Sequence, residues 1–122
     1  MTFDQHIGMQ YLEVEGGSGA YVDVEAHHCN PTGNIDGALM ISIADNISTG
    51  AANKAYAEKY GEDKFMVGID LHATMLSNQM GGRIRGEARP VRVGRRVTVV
   101  RTQIVGDDER LLAEVTTTHV PT

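Results

Sequence analysis

Residues 36–59, DGALMISIADNISTGAANKAYAEK, constrain the fold more than any other stretch of this chain. Leu39, Ile43, Ile47 and Ala51 recur at every fourth position, one face of a helix, and Met40, Ala44 and Ala55 widen it. The spacing predicts a single helix over 36–59, capped by Asp36 and stopped near Gly61. A helix of that length measures about 36 Å. In a chain of 122 residues it has to be the centre around which everything else packs. Between Gly37 and Asn53 its only ionisable side chain is Asp45.

The flanking segments carry the other period. YLEVE (11–15) and AYVDVEAH (20–27) alternate apolar and polar residues, as half-buried strands do, and GGSG (16–19) joins them as a turn. CNPTGN (29–34) reads as a loop. Four more strands are expected over 65–76, 82–93, 95–106 and 110–120, with DDE as the last turn. Two strands, a helix and a run of hairpins make an α+β domain. One antiparallel sheet of about six strands wrapped around the helix is the simplest way to bury it. No repeat, linker or low-complexity tract divides the chain, so 1–122 is read as one domain.

Composition narrows the function. A net charge of −5 argues against general binding to nucleic acid or to anionic membranes. MTFDQHIGMQ has no basic run leading into an apolar one, and no apolar run approaches the roughly 20 residues of a membrane span. Cys29 is the only cysteine, so no internal disulfide forms, and a cytoplasmic setting is expected. The basic residues are unevenly placed. Seven arginines lie between 83 and 101, with Glu87 the only acid among them, and a local cationic patch on an acidic chain suits a discrete anionic ligand.

Asp45 shares a helix face with Ile41, Ser48, Thr49 and Ala52, a small and polar stripe suited to a cleft or an interface. It has two readings. It lies on a solvated edge or caps a neighbouring element, or it sits in a poorly hydrated cleft as a nucleophile or general base.

Asn30, Gly33, Gly37 and Asp45 stand as N-x-x-G-x-x-x-G followed by Asp eight positions on. With ADNISTGAA, GIDLHATMLS (68–77), GEARPVRVGRRV (86–97) and LLAEVTTTHV (111–120), this order resembles the hotdog-fold acyl-CoA thioesterases of the PaaI-type branch, over nearly the whole chain. The resemblance implies a hotdog fold, working as a homodimer or a dimer of dimers with its sites at the dimer interface. It implies an acyl-CoA substrate and no cofactor beyond the coenzyme A of that substrate. Asp45 matches the catalytic carboxylate, the Gly37 amide matches the oxyanion donor, Asn30 matches the side chain that orients the carbonyl or the water, and Ser77 matches a water-binding position. One departure is plain: the usual His-Gly-Gly reads Asp36-Gly37-Ala38 here, so Asp36 is a possible modulator of the reaction. Near the turn at Gly94 the resemblance implies contacts to the nucleotide end of coenzyme A. Arg95 and Arg96, with Arg92 behind them, are the candidates for its phosphates, against the alternative of solvated strand positions.

His27, His28 and Cys29 do not make a metal site, since adjacent strand residues point apart and no second ligand pair has suitable spacing. Cys29 is expected to be an inert thiol. His72 is expected to be packed or hydrogen-bonded rather than catalytic. The leading expectation is hydrolysis of a small, aryl or medium-chain acyl-CoA. The rivals are an acyl-CoA-binding protein without hydrolysis and, ranked lower, a hydratase or dehydratase on the same fold.

Overall fold

The computed structural model describes residues 1–122 and contains one six-stranded antiparallel sheet with one long helix lying on it. The elements in chain order are α1 (Phe3–His6), β1 (Gln10–Leu12), β2 (Ser18–Asp23), α2 (Gly37–Tyr60), β3 (Met66–Met75), β4 (Arg83–Val93), β5 (Thr98–Val105) and β6 (Leu111–Pro121). The strands lie in the order β1-β2-β4-β5-β6-β3, so β3 forms one edge although it follows the helix directly.

α2 forms where its periodicity predicts. The Asp36 carboxylate accepts the Ala38 N–H at 2.9 Å, and Gly61 ends the helix in the left-handed region at φ 68°. Leu39, Met40, Ile43, Ala44, Ile47, Ala51 and Ala52 are buried. Tyr56, rather than Ala55, completes that face, and its hydroxyl donates to Arg95 O at 3.4 Å. The helix lies close against the sheet at Gly86. A Cβ there would meet Ile47 Cδ1 at 2.7 Å and Ile43 Cγ2 at 2.9 Å, so only glycine lets strand and helix approach this closely. Ile84, Ala88, Val100, Ile104, Leu112, Ala113 and Val115 fill the sheet side of the same core.

The first hairpin is smaller than its alternation suggests. β1 stops at Leu12 and β2 at Asp23. Residues 26–28 make a single helical turn instead of extending the strand, because the His28 ring folds back. Its Nδ1 accepts the Glu25 N–H at 2.9 Å, and its Nε2 donates to Ile7 O at 2.9 Å, tying α1 to the loop before α2.

β3 is hydrogen-bonded only to β6, and its other edge is free. The pairing register slips between Gly68 and Asp70, a β-bulge. Gly68 pairs with inward His119, but after the bulge Asp70 pairs with outward Thr118, and Leu71 pairs with inward Thr117. The bulge therefore turns Asp70 away from the helix and Leu71 towards it.

Candidate active site

Three contacts fix α2 against β3. Gly37 lies beside Met75, whose Cε would be 3.1 Å from a Cβ at 37. Asp45 shares a depression of about 260 Å³ with Gly68, Ile69, Asp70 and Leu71. The Asn53 carboxamide oxygen accepts the Met66 N–H at 2.7 Å. The helix thus runs antiparallel to the edge strand.

Asp45 is exposed in the single chain, on the flank of α2 that faces the free edge. Of its two readings the single chain shows the solvated one: no poorly hydrated cleft encloses the carboxylate, and no strand lies beyond β3 to roof the helix flank. Its carboxylate makes no ion pair and accepts no hydrogen bond from the chain, and Thr117 and His119 complete the depression. One turn on, the Thr49 hydroxyl donates to the Asp45 carbonyl at 3.1 Å. The buried Ser48 hydroxyl donates to the same carbonyl at 3.1 Å.

Gly37, at the start of α2, and Ser77, just after β3, lie towards the other end of the α2–β3 contact, and Asn30 is in the loop that precedes α2. Gly37 is the first residue of α2, and its N–H meets no acceptor in the chain, since the Asp36 side chain takes the N–H of Ala38 instead. A free N–H at the positive end of a helix is a donor for developing negative charge. The Asn30 side-chain carboxamide oxygen accepts from the Thr32 N–H and hydroxyl and so organises the turn before the helix, which leaves the carboxamide NH2 free. Ser77 follows β3 and is anchored through its N–H to Leu112 O at 3.1 Å. Asn78 and Gln79 lock this segment to Ile35.

Asp45 is not part of that group. Eight residues of helix separate it from Gly37, about 12 Å along the axis. No single thioester carbonyl reaches both in one chain. Asp36 is farther still from Asp45, and its carboxylate is committed to the cap, so within one chain it does not act on Asp45.

The arginine stretch is largely neutralised by acids from elsewhere in the sequence. Arg83 pairs with Asp23, Arg85 with Glu87 and Glu109, Arg89 with Glu87, and Arg101 with Glu114. Arg95 pairs with Glu62 at 3.4 Å and stacks on Tyr60. Only Arg92 and Arg96 of the seven have no acidic partner, and both flank the β4–β5 turn. That turn is held to the C-terminal end of α2 by Tyr56 and by Lys59, whose ammonium donates to Val93 O.

His72 corrects an expectation: it points outward from the edge strand, exposed, and its side chain makes no hydrogen bond. The buried histidines are His28 and His119. His119 went unremarked in the sequence, although its place in the alternation of EVTTTHV marks it as inward-facing. Cys29 is half-buried, with its thiol 3.7 Å from Glu25 O.

Comparison with known proteins agrees with this architecture. The sequence pattern of the Thioesterase superfamily matches residues 32–113. The chain is 28% identical over 114 residues to the Mycobacterium tuberculosis protein Rv1847, covering 93% of this chain and 81% of that one. Their structures superpose with a TM-score of 0.89 over 98% and 95% of the two chains. It is 29% identical over 107 residues to the 1,4-dihydroxy-2-naphthoyl-CoA hydrolase of Escherichia coli, covering 88% of this chain and 71% of the hydrolase. A variant of the phenylacetic acid degradation protein PaaI from Thermus thermophilus shares the fold, with a TM-score of 0.85 at 22% identity over 98% of each chain.

Proposed function

Since the chain belongs to the thioesterase superfamily, we propose that it hydrolyses a small, aryl or medium-chain acyl-CoA at a site shared between two copies of itself. The observation that carries this reading is the unpaired Asp45 carboxylate beside a free strand edge, about 12 Å along the helix from the free Gly37 N–H. Each half of the machinery is present, and each is too far from the other to work alone.

A second copy closes that distance. Antiparallel pairing of β3 with its equivalent extends the sheet and covers Val67, Ile69, Leu71 and Met75, which are 37–61% exposed in the single chain. A two-fold axis near His72 sets Ile69 opposite the partner's Met75 and so brings the partner's Gly37 towards Asp45. The carboxylate then takes a proton from water as its oxygen attacks the thioester carbonyl. The Gly37 amide holds the oxyanion, the C–S bond breaks, and the thiolate leaves to be reprotonated. Direct attack by Asp45 uses the same geometry. Asn30 and Ser77, at the Gly37 end, orient the carbonyl and the water. Arg92 and Arg96, with Arg95 beside them, meet the phosphates of coenzyme A at the far end of the groove.

The test is thiol release over a panel of aryl, short, medium and long acyl-CoAs. Asp45→Asn is expected to leave the fold intact and to lower kcat by about 100-fold or more. Arg92→Ala with Arg96→Ala is expected to raise KM at unchanged kcat. Unaltered turnover in Asp45→Asn would end the assignment. Asp36 motivates a second reading, binding without hydrolysis, because its carboxylate adjoins the oxyanion donor. Saturable binding of a non-hydrolysable analogue with no thiol released across the panel would favour it.

A further inference from the structure

A buried polar strip crosses the sheet beneath Asp45. On β5, β6 and β3 the inward positions Thr98, His119 and Gly68 lie side by side, with Thr117 next to His119 along β6. Thr98 and His119 are fully buried, and Thr117 nearly so. The Thr117 hydroxyl donates to Val100 O at 3.5 Å, so its oxygen accepts from His119 Nε2 at 2.9 Å. In the neutral imidazole that arrangement puts the proton on Nε2 and the lone pair on Nδ1. Nδ1 is buried and has no partner in the chain. Burial opposes protonation and pushes its pKa below the ordinary value, with Asp45 the only opposing charge.

The unpartnered edge of the ring faces the Asp45 depression. His119 and Asp45 line it together, and a Cβ at Gly68 would stand 3.6 Å from both Nδ1 and Cε1. Gly68 has no side chain to lie over that edge, which is nonetheless closed to bulk solvent in the single chain. A buried acceptor costs stability when unpaired, so an acceptor held in this place calls for a donor.

We propose that His119 is a positioning residue whose Nδ1 is the second acceptor, beside the Asp45 carboxylate, for the attacking water. This rests on the hydrolase reading above. The water gives one proton to Asp45 as its oxygen bonds to the carbonyl carbon, and its other hydrogen stays on that oxygen, hydrogen-bonded to Nδ1. His119 takes no proton. The C–S bond breaks, and the leaving thiolate receives the proton from Asp45. Two acceptors at fixed positions orient the oxygen lone pair, which a single carboxylate cannot do.

Three variants test it by thiol release. Gly68→Ala adds a methyl at ordinary contact distance on an unstrained backbone, so it folds and fills the gap beside Nδ1. His119→Leu removes the acceptor, and His119→Asn places a carboxamide oxygen near the former Nδ1. Gly68→Ala and His119→Leu are expected to lower kcat by about 10- to 100-fold with KM changed less than about 2-fold, and His119→Asn to recover much of the loss. Full kcat in folded Gly68→Ala, or equal losses in the Leu and Asn variants, would overturn the proposal. A second arm needs no turnover. The titratable groups around the depression are Asp45 on α2 and Asp70 on β3, the latter turned outward. The ¹⁵N spectrum of His119 is expected to show a protonated Nε2, and Asp45→Asn is expected to shift its Nδ1 resonance and its titration. A spectrum unmoved by Asp45→Asn sinks the coupling even if the protein hydrolyses thioesters. Absence of turnover with that shift present counts against the hydrolase reading alone.

Discussion

At the scale of the residue, Asp36 places a capping carboxylate beside the proposed oxyanion donor. The cap and the charge separate under substitution. Asn caps as well as Asp, whereas Ala does not. Asp36→Asn is therefore expected to keep its melting temperature, while Asp36→Ala loses about 1 kcal/mol of stability. With the charge gone and the cap kept, kcat for thiol release in Asp36→Asn is expected to rise several-fold. A fall would mean that the carboxylate assists the reaction, and the electrostatic account would fail. The residue scale is also where the sequence is least legible. The arginines look like a free cationic patch because Asp23, Glu62, Glu109 and Glu114, which neutralise five of them together with Glu87, lie far away along the chain.

At the scale of the element, α2 was readable to within a residue or so because three independent signals coincide. Leu39, Ile43, Ile47 and Ala51 give the period, Asp36 the cap and Gly61 the stop. The strands were readable as existing but not at their ends, and the bulge at Gly68 was invisible. Simple alternation from Met66 would turn Asp70 inward beside Asp45, and only pairing with β6 decides otherwise. The strand expected over 20–27 runs into the turn at 26–28 because a ring folding back to Glu25 and Ile7 leaves no periodic trace. That turn also makes the chain sensitive to acid. His28 is buried as the neutral form, and burial, with His27 beside it, lowers its pKa from the usual value, against smaller opposing effects from Ile7 and Glu25. The unfolded chain takes up a proton as pH falls through about 6.5, while the folded imidazole resists, so stability is full above that pH and declines below it. His119 adds to the decline with the same sign. Thermal unfolding is expected to show a lower melting temperature at about pH 5.5 than at about pH 7.5, with a shallower dependence in His28→Gln. Equal slopes for the two proteins would remove His28 from the account.

At the scale of the whole molecule, the proposed function makes the single chain half of a working unit. Its edge strand is ten residues long, largely apolar and unpaired on one side, and its two sets of candidate groups are separated by about two turns of helix. A paired edge answers both facts at once, and the consequence can be tested without a structure of the pair. Gly37 occupies the first helical position, where proline is tolerated, and Asp36 before it already has the extended backbone that proline requires (φ −65°, ψ 129°). Gly37→Pro thus deletes the N–H and little else, provided the flexible end of Met75 yields to the ring. Alone it is expected to lower kcat by about 100- to 1,000-fold, the usual effect of losing an oxyanion donor. Asp45→Asn alone is also expected to be nearly inactive. If each site takes its carboxylate from one copy and its amide from the other, a heterodimer of the two variants contains one site with both groups intact. Unfolding and refolding an equal mixture is then expected to restore about a quarter of wild-type turnover, since half of the dimers are mixed and each has one working site. A mixture no more active than its components would mean that Asp45 and Gly37 do not meet across an interface, and with their separation in the single chain no common site would remain.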